Sequence, residues 1–134
     1  WLDLMQRVGD KIAALIGAQP GEVVAAESTS TNLFKLTVAA LKARPGRRKI
    51  VTDDLNFPSD LYILQGASDL LGGRHELAVT PSVDGIHGPE AALRAQLDGR
   101  AALLTLSHTV FKSGFVYDMA GMTAAAHAAG ALAL

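Results

Sequence analysis

Three stretches concentrate side chains able to hold a small charged ligand. The first is Glu27-Ser28-Thr29-Ser30-Thr31-Asn32-Leu33, which runs into a helical pattern. Hydroxyls at a helix start answer the orphan N–H groups of the first turn. The same groups, with the helix dipole, can face an anion such as a phosphate. The residues leave both readings open, a plain cap and a phosphate grip. The second stretch is Asn56-Phe57-Pro58-Ser59-Asp60. Its aromatic face can stack on a planar heteroaromatic ring, and its carboxylate can favour a protonated ring nitrogen. The third is Ser107-His108-Thr109-Val110-Phe111-Lys112-Ser113-Gly114, with Asp118-Met119 close behind.

Other chemistries find little support. There is no G-x-G-x-x-G after a strand, no G-x-x-x-x-G-K-[ST] and no G-x-S-x-G. His75, His87, His108 and His127 lack the tight spacing of a zinc site and read as surface or structural residues. Asp53-Asp54 could pair on a metal, but reads better as solvated loop carboxylates; no metal is expected. The absence of cysteine excludes disulfides and thiolate sites and suits a reducing compartment. A net charge of −1 gives no electrostatic case for nucleic acid or acidic membranes. The basic residues from Lys42 to Lys49 surround Pro45-Gly46 and read as a solvated loop. No apolar run approaches the roughly 18 residues a membrane helix needs.

The elements that would carry these stretches alternate. Leu2, Met5, Val8, Ile12 and Leu15 recur at helical spacing, ended by Gly17 and Pro20-Gly21. Residues 23–26 read as a short buried strand. After the Ser/Thr cluster comes a helix turning Leu33, Leu36, Val38 and Leu41 to the core. Residues 49–52 form the next strand, residues 53–57 a loop, and Pro58 opens a helix that Gly72-Gly73 stops. A strand at 75–79, a helix at 89–97, a strand at 101–106, a loop at 107–118, an Ala-rich helix at 119–129 ended by Gly130, and a strand opening at Leu132 complete the pattern. This predicts an α/β fold with a mostly parallel sheet and helices on both faces. The 134 residues, 49% hydrophobic, suit about one domain. In such sheets ligands bind beyond the carboxyl ends of the strands, where the three polar stretches fall. Phosphate grip, ring stacker and carboxylate together describe a pyridoxal phosphate (PLP) pocket.

The segments 28–33, 56–60 and 107–114, followed by Asp118-Met119, resemble the kynureninase family over nearly the whole chain and in the same order. That resemblance implies a fold-type-I PLP-dependent, transferase-like large domain, with residues 1–134 as roughly its first half. It implies that Thr29 and Ser30 hold the cofactor phosphate, partly through backbone N–H groups. Phe57 would stack on the pyridine ring, Pro58, Ser59 and Asp60 would line the cofactor with Asp60 on its polar side, and Ser107 would be a further contact. It implies a cytoplasmic homodimer in tryptophan degradation and NAD biosynthesis. That enzyme hydrolyses L-kynurenine or its 3-hydroxy form to an anthranilate and L-alanine.

The family's Schiff-base lysine and the aspartate pairing the ring nitrogen are expected beyond Leu134. Lys35 and Lys112 read as an exposed helix residue and a loop residue. The start at Trp1 without an initiator Met, and the strand just opening at the end, are what a fragment would show. No catalytic residue and no activity are therefore expected of these residues alone. Rival readings are another fold-type-I enzyme, such as a cysteine desulfurase or class V aminotransferase, and a non-catalytic phosphate-binding α/β module.

Overall fold

The computed structural model describes residues 3–134, so Leu2 of the expected first helix lies outside the described residues. The chain divides into two compact units, the first reaching to Asn32 and the second spanning Leu33–Leu134.

In the first unit, α1 (Leu4–Ile16) ends where Gly17 takes φ 76°, a conformation cheap only for glycine. The helix follows the spacing of its apolar residues, yet its buried residues are Gly9 and Ala13, whereas Met5, Val8, Ile12 and Leu15 stay exposed. The expected strand at residues 23–26 is also absent. That run lies along α1, and the helix answers its polar groups in place of a sheet neighbour. Ala25 N–H donates to the Met5 carbonyl (3.3 Å) and Gln6 Nε2 donates to the Val23 carbonyl (3.1 Å). A Cβ on Gly9 would collide with the Val23 carbonyl, so glycine permits this approach. Four apolar residues read alone cannot distinguish a strand from coil held by a helix.

Helix α2 (Thr29–Ala43) precedes the sheet, whose strands are β1 (Lys49–Asp53), β2 (Glu76–Thr80), β3 (Ala101–Leu104) and β4 (Leu132–Ala133). All pair in parallel, in the order β2-β1-β3-β4. From β1 the chain crosses by α3 (Pro58–Leu70) to β2, then returns past β1 by α4 (Glu90–Gln96) to β3, and moves on by α5 (Met119–Ala128) to β4. Crossovers of one hand running in opposite directions put their helices on opposite faces. The core is divided accordingly. Ile50 and Leu103 pack with Ala40, Leu41 and Leu64 on one side. Val51 and Leu104 pack with Leu93, Met122 and Ala126 on the other. The pairing shifts between Lys49↔Ala101 and Ile50↔Leu103, leaving Ala102 as an extra residue. Each fully buried Leu contributes about 1.5–3 kcal/mol, more than the ~1 kcal/mol net of a typical hydrogen bond, so these two clusters hold the layers together. On α2, Leu41 is buried as expected, but Leu36 is half exposed. It lines an apolar groove of about 300 Å³ with Ala39, Leu103, Leu132 and Leu134.

The basic stretch is not simply a solvated loop. Arg47 Nη1 donates to the carbonyls of Ala101 (2.9 Å) and Ala129 (2.6 Å). Lys49 is buried in β1, and its ammonium donates to the Gln96 carbonyl (2.9 Å) and to Asp98 Oδ2 (2.7 Å). The Lys49 ammonium, with the Arg100 N–H, holds the Asp98 carboxyl down to about 2. A carboxyl depressed in the folded state stabilises above its unfolded pKa and loses that contribution as pH falls from about 4 through 2. Asp98→Asn should therefore flatten the acid limb of thermal melts between those pH values. It should also lower the melting temperature at neutral pH, where Lys49 loses its counter-charge.

Candidate functional site

Two strand ends meet where the strand order reverses, since β1 and β3 are neighbours but are joined through β2. Crevices at such reversals are where open parallel sheets bind ligands. The residues leaving β1 are 53–57, and those leaving β3 are 105–107. Pro58 sits in the first turn of α3, where its missing N–H costs nothing. Phe57 just before it, at φ −61° and ψ 136°, is half exposed at the mouth of the strand end. Its ring packs on Phe111 with centroids 5.0 Å apart and planes tilted by 59°. Asp60 lies in the first turn of α3, favoured there by the helix dipole. Ser59 Oγ donates to Asp60 Oδ1 at 3.4 Å.

Behind this surface runs a buried polar network. The Thr52 hydroxyl donates to the Thr105 carbonyl (2.9 Å), and Asn56 Nδ2 donates to Thr52 Oγ1 (2.8 Å). Asn56 Oδ1 accepts from the backbone N–H of Ser107 (3.1 Å) and from its hydroxyl (2.9 Å). Asp53 Oδ1 accepts from the N–H groups of Leu55 and Asn56, and Asp53 Oδ2 accepts from the Tyr117 hydroxyl (2.5 Å). Burial pushes the Asp53 carboxyl above the usual carboxylate range, while Tyr117 and the two N–H groups pull it back. Burial and the facing Asp53 push the Tyr117 phenol strongly upward, so it remains a donor.

The loop 107–118 is folded, not slack. Thr109 and Val116 form an antiparallel bridge, and Gly114 makes the turn at φ 73°. The Ser113 hydroxyl donates to the Ile86 carbonyl (2.7 Å), and Asp118 caps α5 by accepting from Gly121 N–H (2.9 Å). Phe115 meets Tyr117 edge-on at 5.1 Å. A Cβ on Gly88 would strike the Tyr117 ring, so this glycine admits the tyrosine.

Of the residues picked out by the sequence, Phe57, Pro58, Ser59, Asp60 and Ser107 lie at these two adjoining strand ends, with Asn56 bonded across them. Thr29 and Ser30 are exposed in the first turn of α2 and belong to the first unit. The capping hydroxyl is the preceding one: Thr31 N–H donates to Ser28 Oγ (3.3 Å), leaving the Thr29 and Ser30 side chains outside that bond. They do not follow a strand, since residues 23–26 form none. Asp53 corrects the expectation of solvated carboxylates. It is buried, whereas Asp54 is exposed and accepts from the Ser82 N–H (2.8 Å). The Asp53–Tyr117 pair was missed because its partners stand 64 positions apart with no motif between them. Lys35 is exposed on α2, and Lys112 lies in the loop with its ammonium 5.5 Å from the Phe111 ring centre.

The aminotransferase class-V family model matches residues 2–134. The chain belongs to that family. Curated relatives of this class-V chain include a kynureninase of Pseudomonas fluorescens, 43% identical over 138 aligned residues. One of Burkholderia pseudomallei (strain 1106a) is 40% identical. Each alignment takes in 100% of this chain and 32% of the relative, so the chain spans about a third of their length. Among solved structures, an inhibitor-bound glycine decarboxylase (P-protein) matches with a TM-score of 0.72 at 22% identity, over 98% of this chain and 29% of that one. A C-DES mutant with glycine covalently linked to its PLP cofactor matches with a TM-score of 0.70 at 18% identity, over 92% of this chain and 32% of that one. The parallel sheet with helices on both faces is thus the fold expected of a fold-type-I PLP-dependent large domain.

Because burial raises the Asp53 midpoint, its charged form costs stability as pH climbs from the unfolded value near 3.8 through the folded one. Tyr117→Phe should move that midpoint higher still in a carboxyl-carbon NMR titration. It should also lower unfolding stability at neutral pH by about 2 kcal/mol, the worth of a hydrogen bond to a charged group.

Proposed function

We propose that this chain is the part of a kynureninase that grips PLP by its phosphate and ring face. The reading rests chiefly on 43% identity to a kynureninase along the whole chain. It is supported by an aromatic, a carboxylate and a hydroxyl at the strand-order reversal. In the whole enzyme the reaction is hydrolysis of L-kynurenine, or 3-hydroxykynurenine, to anthranilate, or 3-hydroxyanthranilate, with release of L-alanine. PLP supplies the electron sink for cleavage of the Cβ–Cγ bond.

The residues present fit that cofactor. The half-exposed Phe57 ring offers a flat apolar face for one side of a pyridine and keeps water from it. Pro58 starts α3 and holds Phe57 at the strand mouth. Ser59 and Asp60 present a hydroxyl and a carboxylate on the polar side of the ring, and Ser107 a further hydroxyl. Thr29 and Ser30, with their own backbone N–H groups at the start of α2, take the phosphate. Residues 1–134 then form part of the PLP-binding large domain of a cytoplasmic homodimer, in tryptophan degradation and NAD biosynthesis. Neither Lys35 nor Lys112 serves as the Schiff-base lysine, which on this reading follows Leu134, as does the aspartate for the ring nitrogen. No helix among the described residues is long and apolar enough to cross a membrane.

The intact protein should produce anthranilate fluorescence from kynurenine and release little alanine from cysteine; the reverse pattern would assign it to the desulfurase group. A polypeptide of residues 1–134 alone, mixed with PLP and then borohydride, should yield no lysine adduct by mass spectrometry. An adduct on Lys35 or Lys112 would overturn the assignment of the reactive lysine.

A further inference from the structure

Asn56 uses every polar atom of its side-chain amide inside the protein, and the directions of those bonds are fixed. Its Oδ1 faces the backbone N–H of Ser107 at 3.1 Å, a group that can only donate, so the atom there is oxygen. Its Nδ2 faces Asp53 Oδ1 at 3.1 Å, an oxygen that already accepts from the N–H groups of Leu55 and Asn56. Nδ2 also donates to Thr52 Oγ1 (2.8 Å), whose own hydrogen goes to the Thr105 carbonyl (2.9 Å). The amide therefore cannot flip without setting donor against donor at Ser107.

An amide oxygen carries no hydrogen. The 2.9 Å bond between Ser107 Oγ and Asn56 Oδ1 therefore consumes the hydroxyl hydrogen of Ser107. Half-buried Ser107 then has only lone pairs left to offer at the end of β3. We propose that Asn56 is a positioning residue that fixes Ser107 as a hydrogen-bond acceptor, so that the ligand atom meeting Ser107 carries a proton. That atom is a hydroxyl or a protonated nitrogen. Phosphate and carboxylate oxygens are disfavoured there, which sends an anionic group to another part of the pocket. Resting on the PLP reading, this assigns Ser107 to a proton-bearing edge of the cofactor and not to its phosphate.

The test uses the whole enzyme, with and without PLP. In a neutron map of the deuterated apo-enzyme, the Ser107 deuteron should lie between Oγ and Asn56 Oδ1. A deuteron pointing elsewhere would overturn the proposal whether or not PLP binds. In the PLP-loaded enzyme, an acceptor stabilises the protonated form of what it touches. Ser107→Ala should lower the pH midpoint of the visible absorbance change of bound PLP and weaken PLP binding about threefold to tenfold, as for one hydrogen bond. Ser107→Thr should keep the wild-type midpoint.

Asn56→Ala frees the hydroxyl to turn and should lower the midpoint too, with the double variant matching Ser107→Ala. Thermal melts of the apo-variants report separately any purely structural loss. A midpoint unchanged or raised by Ser107→Ala, or additive shifts in the double variant, would refute the assignment. If the wild-type enzyme shows no bound-PLP absorbance, the functional reading fails, and the neutron map still decides the orientation of Ser107.

Discussion

β1 is buried along all five of its residues, and three of the five are polar or charged. A strand covered on both faces leaves no water to satisfy such side chains, and an unanswered buried polar group costs ~1–3 kcal/mol. Each is therefore met by a partner from a neighbouring element. Lys49 reaches the end of α4 and Asp98, Thr52 reaches the backbone beyond β3, and Asp53 reaches Tyr117. These bonds bind the amino end of the strand to the α4 side and its carboxyl end to the segment after β3. The hydrophobic clusters set how closely the layers pack, and the polar side chains set which positions face each other.

The strand-order reversal gives these bonds their place. With β2 and β3 flanking β1, the segments leaving β1 and β3 have no strand between them and must face each other across an opening. Phe57 and Phe111 come from those two segments and meet over it, while Asn56 and Ser107 bond beneath. Oily surface in front and satisfied polar groups behind suit a flat, partly charged ligand. The front offers stacking area, and the back holds its own groups rigid without drawing hydrogen bonds from the front.

Most of the architecture was legible in the residues. Proline at a helix start, glycine past a helix end and short apolar runs are local signals, and α3, α5, β1 and β3 follow them within a residue or two. What failed depended on neighbours that a local pattern cannot name. Residues 23–26 have strand-like composition but lie against α1. Leu36 holds a helical core position, yet lines an open groove. Lys49 and Asp53 carry charges that composition assigns to solvent, and only the tertiary fold supplies Asp98 and Tyr117. In the candidate site, Phe57 to Asp60 and Ser107 could be picked out because motif and position past a strand coincide. The role of Asn56 stayed hidden, since a buried asparagine is defined by partners 51 positions away.

That separation has a kinetic side. The bond from Asn56 to Ser107 spans 51 positions that include two helices and two strands, and parallel pairing of β1 with β3 demands a similarly long closure. Contacts so distant in sequence carry a larger loop-closure cost than local helices or the shorter β1–β2 crossover. Long closures of this kind slow the completion of the opening at the strand ends as the chain folds. Until then the apolar strands meant for its walls stay open to association with other chains. A ligand that bound only the finished opening would draw the chain out of that exposed state, acting as a folding aid before it took any part in chemistry.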